Sequence, residues 1–134
     1  MKQQLKPIYY FLVLISLGIF LAQCSSKESK IREQLQVEVD EINTMRSTSV
    51  NNFMHFDSCV LLPNNNIDYF YSLTDTITPA KIYFQNLERE VKDSFKKEPG
   101  MATIRNFEVT AKYNYNDIKG NHLYSFEITP ADYQ

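Results

Sequence analysis

Two adjacent runs of alternating apolar and polar residues near the C-terminal end place the strongest constraint on the fold. Apolar residues occupy every second position from Phe107 to Tyr115 and again from Tyr124 to Ile128, and residues 116–120 between them read Asn-Asp-Ile-Lys-Gly. Alternation separates the two faces of a strand, and Asn, Asp and Gly favour the backbone conformations of tight turns. The pattern therefore predicts an antiparallel hairpin with one buried face.

An earlier segment predicts a second hairpin. Residues 55–62 have a strand-like composition, and residues 67–73 place Ile, Tyr, Tyr and Leu at every second position. The sequence Pro-Asn-Asn-Asn at 63–66 separates them and is a strong turn signal, because Pro restricts φ and Asn tolerates the left-handed region.

Two helices are predicted from apolar residues that recur at helical spacing. The first pattern covers residues 31–45 and is followed by the polar segment 46–52, which we expect to break the helix. The second pattern covers residues 80–95. Thr78-Pro79 is typical of the start of a helix, and Pro99-Gly100 should end it.

These elements predict an α+β fold in the order helix-hairpin-helix-hairpin, with a four-stranded, mostly antiparallel sheet and the helices on one face. The single domain should span residues 31–134. An apolar fraction of 43% and nine each of Phe and Tyr argue against disorder. The expected inward-facing set is aromatic and aliphatic: Tyr69, Tyr71, Phe107, Val109, Tyr113, Tyr124, Phe126 and Ile128 against Phe84, Leu87, Val91 and Phe95.

Residues 1–23 have the features of a secretory signal peptide. Lys2 and Lys6 precede the segment 8–22, which is apolar apart from one Ser and one Gly. A short basic head before an apolar run of this length is typical of a signal, whereas a membrane-spanning helix usually needs about 20 apolar residues. An uncleaved membrane anchor is the alternative.

The end of this segment, Leu21-Ala22-Gln23-Cys24, resembles a bacterial lipobox. The resemblance implies cleavage between Gln23 and Cys24 and attachment of lipid, including acyl chains such as palmitate, to Cys24. Gln23 departs from the small residue that usually precedes the cysteine. Two or more acyl chains hold a protein stably on a membrane. Residues 24–30 would then form a lipidated tether.

The lipobox resemblance implies a location in the bacterial cell envelope. Ser25 after the cysteine resembles the pattern of lipoproteins sent to the outer membrane, where the protein would face the periplasm or the cell surface. A soluble secreted protein cleaved nearby is the alternative. The net charge of −2 lacks the basic character that non-specific nucleic-acid binding requires, so we expect no nucleic-acid partner.

The sequence contains no pattern that predicts catalysis, a metal site or a cofactor. His55 and His122 are isolated, without HExxH or CxxC motifs. Ser58, His55 and Asp57 could be grouped as a triad, but adjacent strand positions point to opposite faces and no GxSxG motif is present. Cys59 is predicted to be a buried core thiol. We therefore expect a protein without enzymatic activity, with an unrecognised hydrolase as the less favoured alternative.

The sheet face away from the helices is the candidate site. It would carry Phe70, Leu123 and Lys112 among acids and hydroxyls, and a large apolar anchor ringed by polar groups is typical of a protein-binding surface. We predict that these three residues contact a protein partner, with an ordinary solvated sheet face as the alternative. A module that binds small ligands through exposed tyrosines is a further alternative.

A resemblance to a family points in the same direction. Residues 42–133 look like a family of small exported bacterial proteins of uncharacterised function, which suggests no catalytic residues. The predicted function is therefore that of a small envelope lipoprotein that binds a protein, as an immunity factor, an inhibitor or an assembly subunit. The matching stretches are residues 56–59, 62–65, 69–73, 113–115 and 128–133.

Overall fold

The computed structural model describes residues 27–74, 79 and 81–134. The predicted signal peptide at 1–23 and the lipidation site at Cys24 lie outside the described residues. Within the described ranges, no helix is both long and apolar enough to span a membrane.

The chain divides into two compact units. In the first, Met1–Gln34, residues 27–34 are helical; residues 27–30, which the sequence suggested as part of a tether, are exposed. The second unit, Leu35–Gln134, begins with helical residues and holds every element discussed below.

The elements of the second unit follow the predicted order of helix, strands, helix and strands, with additions. They are α1 (35–43), β1 (Ser49–Asn51), β2 (Met54–Leu61), β3 (Ile67–Leu73), α2 (Lys81–Lys97), a single 3-10 turn (Pro99–Met101), α3 (Ala102–Asn106), β4 (Ala111–Asn116), β5 (His122–Ile128) and α4 (Pro130–Tyr133).

The described strands form one five-stranded sheet in the order β1-β2-β3-β4-β5. All neighbours are antiparallel except β3 and β4, which are parallel. The predicted four-stranded sheet is therefore wrong in strand number, because part of the polar segment 46–52 pairs with β2 as a short edge strand. The two predicted hairpins lie side by side in parallel because α2 crosses between them, and parallel strands need such a crossover.

Both hairpin turns form as predicted. In the first, the Leu62 N–H donates to the Asn66 carbonyl, and Asn65 takes a left-handed φ of 63°. In the second, the Gly120 N–H donates to the Asp117 carbonyl and Gly120 has a φ of 84°. Asn and Gly are the residues that adopt this backbone region most readily.

The buried face of the sheet is a set of aligned aromatic rows. Cys59, Tyr69, Tyr113 and Phe126 are neighbours across β2 to β5. The ring centroids of Tyr69 and Tyr113 are 4.8 Å apart and those of Tyr113 and Phe126 are 5.1 Å apart, both in stacked arrangements. This register confirms that the Tyr-rich strands turn their rings toward the core.

Helix α2 covers this face through two phenylalanines. Phe84 stacks on Tyr124 with ring centroids 5.1 Å apart, and Phe95 meets the edge of Tyr113 at 6.2 Å. Both phenylalanines are buried, as predicted from the helical spacing. The predicted arrangement of helices on one sheet face is thus confirmed for α2.

Helix α1 covers the same face at Cys59. The thiol is buried and its S–H donates to the Val39 carbonyl at 3.6 Å, and burial raises the pKa of Cys59 to about 11. The side-chain amide of Asn43 accepts from the Cys59 N–H at 2.8 Å and donates to its carbonyl at 2.9 Å. Cys59 is therefore the buried core thiol that the sequence predicted. Because β1 ends before it reaches Cys59, the Asn43 side chain makes the two hydrogen bonds to the Cys59 backbone that a neighbouring strand would otherwise make.

The segment before β4 differs from the prediction. Alternation suggested a strand from Phe107, but α3 ends just before this residue and the strand begins at Ala111. Glu108 between them has a φ of 53°. The helix forms because Ile104 is almost fully buried and the Arg105 guanidinium donates to two carbonyls at the C-terminal end of α2.

The last helix, α4, is held in place by hydrogen bonds and an ion pair at both of its ends. Thr129 and Asp132 form a reciprocal capping box, with the Thr129 N–H donating to the Asp132 carboxylate at 2.8 Å. Lys92 of α2 forms an ion pair with Asp132 at 3.3 Å. The buried Tyr133 hydroxyl donates to the Val109 carbonyl at 2.8 Å. These contacts hold the C-terminal residues against the core.

Candidate protein-binding surface

The sheet face opposite the helices, here called the open face, carries mainly polar side chains. The register places its residues in two central rows that run across β2 to β5. One row is Val60, Asp68, Lys112 and Glu127; the other is Ser58, Phe70, Asn114 and Ser125.

Phe70 lies at the centre of the open face. It is half-buried and pairs with Ser58 on one side and Asn114 on the other. The Asn114 side-chain amide donates to the Tyr69 carbonyl at 3.2 Å, so it is held beside the ring. Phe70 is thus an aromatic group surrounded by small polar residues, as the sequence predicted.

Lys112 lies in the row next to Phe70. Its cross-strand neighbours are Asp68 on β3 and Glu127 on β5, so an acidic residue occupies the paired position on either side. Opposite charges in directly paired positions attract each other. Phe70 on β3 and Lys112 on β4 thus lie in adjacent rows of the open face, as the register of the two strands shows.

Leu123 lies apart from these two residues. Tyr115 pairs with Tyr124 and Asn116 pairs with His122, which leaves Leu123 as an extra residue at a β-bulge. It is two strands away from β3, which corresponds to about 10 Å across the sheet. Alternation predicted Leu123 as a second anchor, but strand alternation does not foresee a bulge.

A second bulge gathers three polar side chains that the sequence did not predict as a group. Phe56 pairs with Tyr71 and Ser58 with Phe70, so Asp57 is the extra residue. Its carboxylate accepts a hydrogen bond from the Ser72 hydroxyl and lies 3.2 Å from His55 Nε2.

This cluster is not arranged as a nucleophile with its base. The Ser72 hydroxyl donates its proton to the carboxylate, whereas an activated serine donates to an imidazole nitrogen. Ser58, the serine considered from sequence, pairs across the sheet with Phe70 instead. The arrangement therefore offers no support for hydrolysis.

Residues 30–124 match the family described as "domain of unknown function (DUF8479)". The chain belongs to this family. The match spans β1 to β4 and the first part of β5, so it includes Phe70 and Lys112 of the open face. No curated protein matches the chain in sequence.

Two solved structures share the fold. A protein from Pseudomonas aeruginosa described as a "putative secreted protein" superimposes with a TM-score of 0.66 and 10% identity, over 81% of this chain and 96% of that one. The pilotin of the type 2 secretion system from Vibrio vulnificus gives a TM-score of 0.53 and 14% identity, over 79% and 97% of the two chains. At these identities the likeness establishes a common fold.

Three tyrosines that could have formed a stacking platform are buried instead. Tyr69, Tyr113 and Tyr115 are 4%, 5% and 2% exposed on the face that the helices cover. Burial raises the pKa of each of these phenols. The predicted alternative of ligand binding through exposed tyrosines is therefore wrong for these three residues.

Metal-ligating side chains are scattered in the described part of the domain. No three His, Cys, Asp or Glu residues there come close enough to hold a metal ion. His122 lies at the exposed start of β5, and His55 lies beside a single carboxylate, that of Asp57. The open face, with Phe70 and Lys112, is the candidate site that the geometry offers for a protein partner.

Proposed function

We propose that this protein is a bacterial envelope lipoprotein, attached to the membrane through Cys24, whose open face binds a protein partner during the assembly of a larger envelope structure. The observation that carries the binding role is the position of Phe70, which is half-buried among polar residues on the sheet face opposite α1 and α2.

The shared fold supports an assembly role over immunity or inhibition. One protein with this fold is a pilotin of a type 2 secretion system and the other is described as secreted. Both descriptions agree with the envelope location that the lipobox resemblance of Leu21-Ala22-Gln23-Cys24 implies.

The composition of the open face supports a protein as the partner. Lys112 stands between Asp68 and Glu127, so the face presents both signs of charge around an aromatic anchor. Interfaces typically combine such an anchor with a polar rim, whereas nucleic-acid surfaces are strongly basic.

Metabolic labelling with an alkyne analogue of palmitate tests the lipid anchor. The chain has only two cysteines, Cys24 and Cys59, which provide a matched pair of variants. We expect the label on the wild-type protein and on Cys59→Ala, and no label on Cys24→Ala. Label that persists in Cys24→Ala, or is absent from the wild type, would contradict the proposal.

Site-specific photo-crosslinking in intact cells tests the partner surface. A photoreactive amino acid at Phe70 or Lys112 should give one discrete adduct with an envelope protein, and the same group at Gln85, exposed on α2, should not. Excess Phe70→Ser protein should fail to compete for the adduct. Identical adducts at all three positions, or none at Phe70 and Lys112, would rule out the open face as the binding site.

A further inference from the structure

A surface groove of about 440 Å³ lies at the C-terminal end of α1, away from the open face residues described above. Residues of α1 and of the turn that follows it form one wall, and Gly100 and Met101 of the 3-10 turn after α2 lie on the other. A volume of this size is within the range of ligand pockets.

The groove has an apolar lining that is accessible to solvent. Ile42, Met45 and Met101 all contribute to it, and Met45 is 53% exposed. The helical pattern predicted for residues 31–45 includes Met45, but the helix ends at residue 43 and Met45 lies in the turn that follows. Methionine is flexible and polarizable, so such a lining adapts to apolar side chains of different shapes.

The groove also carries uncompensated negative charge. Glu38 and Glu41 of α1 line it, and no Lys or Arg does. Neither carboxylate forms an ion pair within the described ranges. The C-terminal end of α1 adds the negative end of a helix dipole, which favours cations.

We infer that this groove binds a cationic amphipathic helix of a partner protein, with apolar side chains one turn apart against Met45 and Met101 and Lys or Arg side chains at Glu38 and Glu41. Helix-in-groove recognition uses apolar anchors at this spacing, and the charge of the groove selects a basic helix. The inference concerns a surface separate from Phe70 and does not depend on the open face.

Binding of model peptides tests the inference. The probes are two labelled amphipathic peptides of about four helical turns, one built from Leu and Lys and the other from Leu and Glu. Fluorescence anisotropy would be measured with the full-length protein in a neutral detergent. We expect the Leu/Lys peptide to bind and the Leu/Glu peptide to bind at least about tenfold more weakly, because like charges at an interface are strongly unfavourable.

Two groove variants separate charge from shape. Glu38→Lys with Glu41→Lys should weaken the Leu/Lys peptide at least about tenfold and strengthen the Leu/Glu peptide. Gly100→Leu should block both peptides without a change of charge, since a Cβ at Gly100 meets no atom within 4 Å and the side chain can extend into open space. Circular dichroism melts would confirm that each variant is folded.

Ile118→Ser is the matched control, because Ile118 is 55% exposed in the turn between β4 and β5, outside the groove and outside the rows of the open face. This variant should bind the Leu/Lys peptide as the wild type does. Detergent binding by the peptides is the same in every sample, so only differences between variants count. No binding to the wild type, equal binding by the charge-reversed variant, or unaltered binding by Gly100→Leu would overturn the inference.

Discussion

Two buried tyrosines differ in whether their hydroxyl groups have a hydrogen-bond partner. Substitution of each by phenylalanine should therefore change the free energy of unfolding in opposite directions. Tyr133 is 7% exposed and donates to the Val109 carbonyl at 2.8 Å. Tyr69 is 4% exposed, and its hydroxyl has no partner among the described residues. We expect Tyr133→Phe to destabilise the protein and Tyr69→Phe to stabilise it.

The magnitudes follow from the cost of burying polar groups. A buried polar group without a partner costs about 1–3 kcal/mol, and a typical hydrogen bond contributes about 0.5–1.5 kcal/mol net. Tyr69→Phe removes the unsatisfied hydroxyl, so the free energy of unfolding should rise by about 1 kcal/mol after allowance for the small void. Tyr133→Phe removes one hydrogen bond and leaves the Val109 carbonyl unsatisfied, so the free energy should fall by about 1–2 kcal/mol.

Urea unfolding followed by circular dichroism measures both changes. The midpoint should shift in opposite directions with an unchanged slope, since neither substitution alters the surface exposed on unfolding. Thermal midpoints should move by about 4–8 °C per kcal/mol for a domain of this size.

The stability of the Tyr69→Phe variant shows whether the Tyr69 hydroxyl is unsatisfied in solution. If it lowers stability as much as Tyr133→Phe does, the Tyr69 hydroxyl has a partner in solution, such as a buried water molecule, and the reasoning is refuted. Tyr133→Phe with no loss of stability would show that the contact between α4 and Val109 contributes little.

Further predictions concern pH and the ends of helices. Burial raises the pKa of Cys59 from 9.0 to about 11 and that of Tyr71 from 10.0 to about 12. The stability that these two groups provide is therefore complete below pH 9 and should be lost as the pH rises from 9 to 12. Urea midpoints measured at each pH test this. The Thr129 N–H lowers the pKa of Asp132 below 3.8, so its contribution should be lost as the pH falls below about 4, and Asp132→Asn should cost about 1 kcal/mol at pH 7 and abolish that acid dependence. Arg105→Met should destabilise the protein by about 1 kcal/mol in the same assay, because the carbonyls at the end of α2 lose their donor, while Arg105→Lys should restore part of the loss.

Local patterns predicted the hairpins well because their signals depend on neighbouring residues. The Asn-rich turn at 63–66 and the turn at 117–120 form where the sequence indicates, with Asn65 and Gly120 in the left-handed region. The buried phenylalanines of α2 also follow directly from helical spacing. In each case the determining interactions are within a few residues of each other.

The elements that sequence analysis missed depend on distant partners. Ser49–Asn51 (Ser-Val-Asn) is too short to show a strand period, and it becomes a strand because the edge of β2 offers hydrogen bonds. Ala102–Asn106 is helical because Ile104 is buried and Arg105 reaches the end of α2. A short polar or alternating segment is compatible with several local structures, so its tertiary contacts decide between them.

The candidate site was predictable in part. Phe70 and Lys112 lie on the face that alternation assigned to them, because the period of a strand is a local property. The separation of Leu123 from Phe70 depends on the bulge in β5 and on the parallel pairing of β3 with β4. The groove beside Met45 was not foreseen, since it forms between segments more than fifty positions apart.

By itself, the sequence determined the turns, the helical stripe of α2, the inward direction of the tyrosines and the buried thiol of Cys59. These features depend on backbone preferences and on the separation of apolar from polar groups, both of which act over short stretches of chain. Only the tertiary structure decided the parallel joining of the hairpins, the fifth strand and the acidic groove at the end of α1. Each of these arises from contacts between residues far apart in sequence, whose free energy exists only once the chain has folded.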